Sequence, residues 1–300
     1  MRMLPHSHPC RRPALAPLAV LPPAALIAAA IIPALGARPS HAAPAPAMRQ
    51  ITIRASAPKF PKQIPAGFVS VTLVSDARGE ADAGFARLNP GATLAQVKAV
   101  NAQAQNSLPA FVKLSKLLTF IGGAGSIPTG STETVVLDMR KPGTYGFNLS
   151  VGNGNSSGKT TIFTVTSGSA QGAAPSGGIP VRLKEMKIVG MPKQAAAGPV
   201  TLQVANTGKQ VHELSLVKLD PGKTQKDVVA LLKSPQGQNG PPPSWAHDMG
   251  GLDTISPHQS ASLQLTLTPG YYVAICFMPD VKKQGTPHVM EGMITHFTVQ

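Results

Sequence analysis

The sequence predicts an all-β protein made of two tandem Greek-key β-sandwich domains, each with a short helix in an insertion. Three observations carry this. Glycine and proline number 29 and 30 of 300 residues while charged residues are only 13%, a composition of many turns and short strands rather than long helices. Apolar runs with strand-like alternation recur between turn signals: GFVSVTLVS over 67–75, TETVVLDM over 132–139, TYGFNLSV over 144–151 after Pro142-Gly143, and TTIFTV over 160–165. The chain also repeats itself. GFVSVTLVS at Gly67 aligns with GPVTLQVAN at Gly198, and ARLNPGATLAQVKA at Ala86 aligns with VKLDPGKTQKDVVA at Val217, both at an offset of 131 residues. KPGTYGF at Lys141 matches TPGYYVA at Thr268, and IFTV at Ile162 matches HFTV at His296. The period exceeds that of solenoid repeats, so it reads as a duplicated domain, and short strands at regular spacing favour a sandwich.

Residues 1–42 have the form of an export signal. Arg2, Arg11 and Arg12 make a basic start, an apolar run covers 13–37, and Ser40-His41-Ala42 places small residues before a cut at Ala43. An uncleaved anchor is the alternative, but Pro22, Pro23 and Pro33 interrupt the run. No later segment is apolar enough to span a membrane, so the expectation is an exported protein, periplasmic, extracellular or associated with the cell envelope. Residues 43–50 read as a Pro/Ala spacer. Residues 51–166 form the first domain, with a helix over 93–105 where Leu94, Val97 and Val100 keep helical spacing. Residues 167–179 form a flexible Gly/Ser/Ala linker. Residues 180–300 form the second domain, whose helix opens at Thr224 with Asp227 three residues on, a capping-box pattern.

The formal charge of +14 is uneven: four arginines and no acid fall in the first 42 residues, leaving 23 bases against 13 acids. A basic exported chain suits a redox partner protein or a cell-envelope component. Nucleic acid is a weak alternative and not the expected partner, because aromatics are 4% of the chain and the sequence shows no basic helix or base-reading strand.

Chemistry concentrates near the C-terminus. Two strand-like runs, YYVAICF and MITHFTV, bracket a loop that carries Cys276, His288 and Met293 in that order. Cys10 leaves with the signal, so Cys276 is the single thiol of the mature chain, and it must be either buried or occupied. A soft sulfur anion, an imidazole and a thioether at one loop form a ligand set for copper. The repeat supplies a fourth group: the strand at Gly198 runs through a Thr-Gly turn to His212. Two imidazoles, a thiolate and a weak thioether make the His₂Cys-plus-Met arrangement of blue-copper sites. Taken singly, each residue also has a structural reading: Cys276 and Met293 as core, His212 as a rim residue, His288 as a loop residue.

The segment 179–300 resembles the cupredoxin (type 1 copper) family. The residues that carry the resemblance are Asn206-Thr-Gly-Lys-Gln-Val-His212, Gly270-Tyr-Tyr-Val-Ala-Ile-Cys276 and His288-Val-Met-Glu-Gly-Met293. The resemblance implies one type 1-like copper held by His212, Cys276, His288 and Met293, and one-electron transfer. This chain departs from the pattern in its eleven residues between Cys276 and His288, longer than the loops of small electron carriers, and Met290 competes as axial ligand. The first domain has Ala81 where the second has His212 and Leu149 where it has Cys276, so it reads as a copy without metal. A metal-free envelope module and copper handling through Met278, Met290 and Met293 are the alternatives. His247, with Trp245 and Met249, is a candidate to approach the rim. Enzymatic roles are argued against: Cys276 is flanked by Ile275 and Phe277 rather than histidine, the mature chain has no His-x-His pair, and no acid orients a histidine base for a nucleophilic cysteine.

Overall fold

The computed structural model describes residues 47–103, 107–152, 159–234 and 243–300, all within the compact unit Pro44–Gln300. The export signal and most of the Pro/Ala spacer lie outside the described residues. In the first half the elements are β1 (Arg49–Arg54), β2 (Gln63–Val74), β3 (Ala81–Leu88), α1 (Leu94–Gln103), α2 (Leu108–Leu117), β4 (Leu118–Ile127), β5 (Thr132–Met139), β6 (Gly143–Val151) and β7 (Lys159–Gln171). In the second they are β8 (Ile179–Lys184), β9 (Lys187–Val189), β10 (Gln194–Ala195), β11 (Gly198–Asn206), β12 (His212–Leu219), α3 (Gln225–Lys233), β13 (Ala246–Ile255), β14 (Ser260–Leu267), β15 (Gly270–Ile275), a 3₁₀ turn (His288–Glu291) and β16 (Ile294–Val299).

The chain is all-β and sandwich-like. Hydrogen bonding follows β10-β16-β15-β12-β13-β4-β3-β6-β7-β2-β5-β14-β11-β8-β9, with β1 beside β2. The path bends at β7, which pairs antiparallel with β6 and then parallel with β2. Two layers therefore face each other. Leu214, Leu252, Tyr272 and Phe297 of one layer share a buried cluster with Leu137, Val204 and Leu263 of the other. The alternation read from the sequence is the reason: in β5, the burial of Val135 and Leu137 places these side chains on the core face.

Both layers run unbroken from one half of the chain into the other. β4 pairs with β13, and β5 with β14, both antiparallel. The registers are self-equivalent. Ala124 faces Leu252 and Val135 faces Leu263, and each pair is 128 residues apart, the spacing that also separates the starts of β4 and β13 and of β5 and β14. A local twofold passes between the halves at these pairs, with matching strands meeting as in an isologous interface. Glu133 lies on this seam, 1% exposed, and accepts hydrogen bonds from the Gly125 N–H (3.0 Å) and the Gly251 N–H (2.7 Å), one from each half.

Two features differ from expectation. The first half has two helices: α1 ends at Gln103 and α2 follows, capped by Ser107, whose Oγ accepts the Ala110 N–H at 3.3 Å. Pro109 in the first turn suits a helix start. The Gly/Ser-rich stretch expected as linker begins inside β7, which extends to Gln171. The capping box at α3 is formed, the Thr224 N–H donating to Asp227 Oδ2 at 2.8 Å. No helix among the described residues is long and apolar enough to cross a membrane.

Candidate metal centre

Three of the four predicted ligands converge at one end of the β12–β15 pair. His212 opens β12, Cys276 follows the last residue of β15, and His288 starts the 3₁₀ turn. All three are 0% exposed. His212 Nδ1 and His288 Nδ1 are 3.1 Å apart; Cys276 Sγ lies 3.4 Å from His288 Nδ1 and 3.8 Å from His212 Nδ1. The point equidistant from the three atoms is about 2.0 Å from each, close to the roughly 2.0–2.3 Å of metal bonds to imidazole nitrogen and thiolate sulfur. No other group of histidine, cysteine and acidic side chains converges this way among the described residues.

The eleven-residue spacer does not separate the ligands, because it folds back on itself. Pro279 and Pro287 form an antiparallel bridge, and the Asp280 N–H donates to Thr286 O at 2.8 Å. The His288 N–H then donates to Met278 O and the Val289 N–H to Cys276 O, both at 2.9 Å. Residues 279–287 are thereby pinched off as an excursion, and the chain re-enters beside the cysteine it left.

Met293 is 0% exposed and belongs to the same buried cluster as Cys276. Its carbonyl accepts the Cys276 N–H at 3.2 Å and its N–H donates to His288 O at 3.0 Å. Met290 instead packs in a second cluster with Val217, Val228 of α3 and Trp245. Met278 packs at the edge of the main cluster. His247 is not near the rim. It lies opposite Lys218, at the far end of β12 from His212, and its Nε2 pairs with Asp220 at 2.8 Å. The antiparallel β12–β13 register puts the two histidines at opposite ends of the same pair, which residue spacing alone does not reveal.

The electrostatics suit neutral donors. Burial, reinforced by the neighbouring His288, pushes the His212 imidazole down to about 4 against the pull of Glu185. Burial also lowers His288, opposed by Asp280 and Glu291. Both rings are therefore uncharged at neutral pH, with lone pairs free for a Lewis acid. Burial and then the Glu213 carboxylate push the Cys276 thiol up to about 12, against backbone N–H donors from Glu213 and Met278. The Glu213 N–H reaches Sγ at 3.5 Å, and Glu213 Oε1 accepts the Phe277 N–H at 2.7 Å. A cation at the triangle would replace the thiol proton. The Nε2 atoms of both histidines are buried without a hydrogen-bond partner among the described residues; His212 Nε2 faces Glu185 Oε1 at 3.9 Å. The site residue that sequence reasoning passes over is Gln210. It stands only two residues before His212, but its role depends on a contact made 70 residues away.

No family model and no curated protein matches the chain. Among solved structures the chain is similar to auracyanin B, at 19% identity over 42% of this chain and 93% of that one, with a TM-score of 0.29. It is similar to dithionite-reduced auracyanin from the photosynthetic bacterium Roseiflexus castenholzii, at 19% identity over 41% and 95%, TM-score 0.28. It is also similar to copper nitrite reductase from Nitrosomonas europaea, at 13% identity over 84% and 94%, TM-score 0.25. Likenesses this distant carry no weight for function, and the metal reading rests on the three donor atoms themselves.

Proposed function

We propose that the chain is an exported, tandem cupredoxin-like protein that holds one copper ion through His212, Cys276 and His288, with Met293 as the weak axial ligand, and that it transfers single electrons rather than catalysing a reaction. The observation that carries this reading is the buried donor triangle, whose centre lies a metal bond length from two imidazole nitrogens and one thiolate sulfur. The donor types select among metals: thiolate and thioether favour copper in its reduced state, and imidazole serves both states. When bound, copper supplies a one-electron couple between Cu(II) and Cu(I).

The chain's own residues do the rest. His212 is fixed by the start of β12 and Cys276 by the end of β15, and residues 279–287 return His288 to them. This pre-set geometry keeps the change between oxidation states small. Complete burial excludes water from the ligands. Phe277 and Val281, each 41% exposed beside the ligand loop, with exposed Lys209 and Lys282 nearby, support a docking face there for a redox partner with acidic groups around an apolar centre. The first half serves as scaffold.

The test is titration of the metal-free protein with Cu(II), followed by visible absorption and electron paramagnetic resonance. The expected result is one equivalent bound and an intense thiolate-to-copper charge-transfer band that is lost in Cys276→Ala. A protein that takes up neither Cu(II) nor Cu(I) defeats the reading. Colourless uptake of Cu(I) alone would point to copper handling instead.

A further inference from the structure

The excursion 279–287 closes on itself, but closure alone does not fix its direction relative to His212. One buried side chain does. Gln210, 7% exposed, uses both ends of its amide on the excursion: Nε2 donates to Asp280 Oδ1 at 3.1 Å, and Oε1 accepts the Val281 N–H at 3.0 Å. Its backbone is held as firmly. The Gln210 N–H donates to Glu185 Oε1 at 2.7 Å, and its carbonyl accepts from Asn206 Nδ2 at 2.8 Å. Asp280, 3% exposed, also accepts the Lys282 N–H on Oδ1 at 2.7 Å.

We infer that Gln210 is a positioning residue for the metal centre, a clasp that sets the distance between His212 and His288. The inference rests on the copper reading. The lever is short on both sides. Gln210 is two residues from His212 along a segment whose N–H and carbonyl are both engaged. Asp280 is one rung from the Pro279–Pro287 bridge, and His288 follows Pro287 directly. A shift at the clasp therefore moves one imidazole nitrogen against the other across a 3.1 Å gap. The core of the sandwich does not pass through these residues, so loosening them alters the site more than the fold.

The experiment compares copper-loaded and metal-free variants. Gln210→Ala is expected to weaken Cu(II) affinity by about 10–100-fold, the usual loss for an outer partner of a metal ligand, and to change the charge-transfer band and the copper hyperfine splitting. In the metal-free protein the Val281 amide is expected to exchange with solvent faster, while the cooperative unfolding transition is retained. Gln210→Glu places a second carboxylate against Asp280 and is expected to behave like Gln210→Ala. Adding Asp280→Asn reverses the pair's polarity. The amide introduced at position 280 can donate to the carboxylate introduced at position 210 by presenting its nitrogen where Oδ1 sits, which gives up the Lys282 N–H bond made to that same atom. The double variant Gln210→Glu/Asp280→Asn is therefore expected to recover part of the affinity and of the spectrum that Gln210→Glu loses. A wild-type protein that binds copper and a Gln210→Ala variant with unchanged affinity, band and hyperfine splitting overturn this inference alone. Failure of the polarity swap to rescue Gln210→Glu also overturns it. A wild-type protein that binds no copper overturns the copper reading together with it.

Discussion

The two rims of the molecule sit on matching strands and differ in their ligand side chains. At the start of β12 the second half has His212, fully buried; at the start of β3 the first half has Ala81, 1% exposed. At the end of β15 stands Cys276, and in β6 the corresponding residue is Leu149, 4% exposed. Next to the first ligand position both halves carry an acid, Glu213 and Asp82, and burial raises both to about 7. The layers, the register and even the neighbouring carboxyl survive without a ligand. The strand framework is therefore the same with and without the candidate donors. The second rim also bears a cost that the first avoids, since it buries two imidazole Nε2 atoms without hydrogen-bond partners among the described residues, and unsatisfied groups of this kind cost roughly 1–3 kcal/mol each.

The largest effect is expected from giving the second rim the side chains of the first. His212→Ala/Cys276→Leu should abolish copper binding while leaving a folded protein. Its metal-free stability should change by only about 1–3 kcal/mol, because removing a buried imidazole whose Nε2 has no hydrogen-bond partner among the described residues opposes the overpacking by leucine. Thermal unfolding with and without Cu(II) checks both parts. At a copper excess of about 100 times Kd the wild type should gain roughly 2.7 kcal/mol, and the variant should gain nothing. A variant that unfolds outright would mean that the ligands, and not the strands, hold this end together.

The reverse exchange sharpens the comparison further. Ala81→His/Leu149→Cys puts two donors on the first rim, but β6 is followed by no counterpart of the 276–288 loop in sequence; nothing between Ser150 and Val165 is histidine, cysteine or methionine. The expected stoichiometry stays at one copper per chain, with a stability loss of about 2–5 kcal/mol from the shortened leucine and the buried imidazole. A second equivalent bound with a charge-transfer band would show that two ligands suffice on this framework.

The convergence of three candidate donors was legible because its signals are local: Cys276 and His288 bracket one loop, and the repeat points to His212. What stayed hidden was long-range. The spacer length reads as a loose site, yet the Pro279–Pro287 bridge removes most of its span, and prolines do not advertise pairing in sequence. The seam was illegible for a different reason. β4 and β13 are rich in glycine, which reads as loop, but the glycines answer close approach. A Cβ at Gly123 would lie 2.0 Å from Ala83 O, and one at Gly251 would lie 1.9 Å from Leu214 O. Glu133, within the strand read over 132–139, is the buried staple between the halves.

That staple sets a pH dependence. Burial holds the Glu133 carboxyl well above its ordinary 4.5, against the N–H donors of Gly251 and Gly125. The folded state therefore keeps a proton that the unfolded state has lost, and stability falls as pH rises from about 4.5 through the raised value. Asp82, Glu213, Asp248 and Asp253 are also raised by burial and act in the same direction. His212 and His288 are lowered and act in the opposite direction below neutrality. The lowered carboxyls of Asp76, Asp138, Glu185, Asp227 and Asp280 lose their contribution only below about pH 4.5, so between pH 5 and pH 7 the raised acids oppose the two imidazoles, and the metal-free protein should be more stable near pH 5 than near pH 7 in urea unfolding. Glu133→Gln should be less stable at the lower pH, since its amide can accept only one of the two N–H groups, and its pH profile should be flatter. A profile as steep as the wild type's would remove Glu133 from the account.

The smallest effect tests whether the first half touches the metal loop in any way that matters. Leu108, the first residue of α2, packs over the open face of Gly285 in the excursion; a Cβ on that glycine would meet Leu108 Cδ2 at 3.6 Å. Leu108 is only partly buried, so Leu108→Ala should cost about 1 kcal/mol of stability. The clasp at Gln210 holds the arm of the excursion nearest the ligands, whereas Leu108 rests on its far tip. Copper affinity and the charge-transfer band should therefore stay close to wild type, and the rate at which a chelator strips copper should rise modestly. If the rate is unchanged, the half without ligands is scaffold alone. If affinity falls as far as it does in Gln210→Ala, the excursion is held from both sides, and the metal-free half is part of the centre.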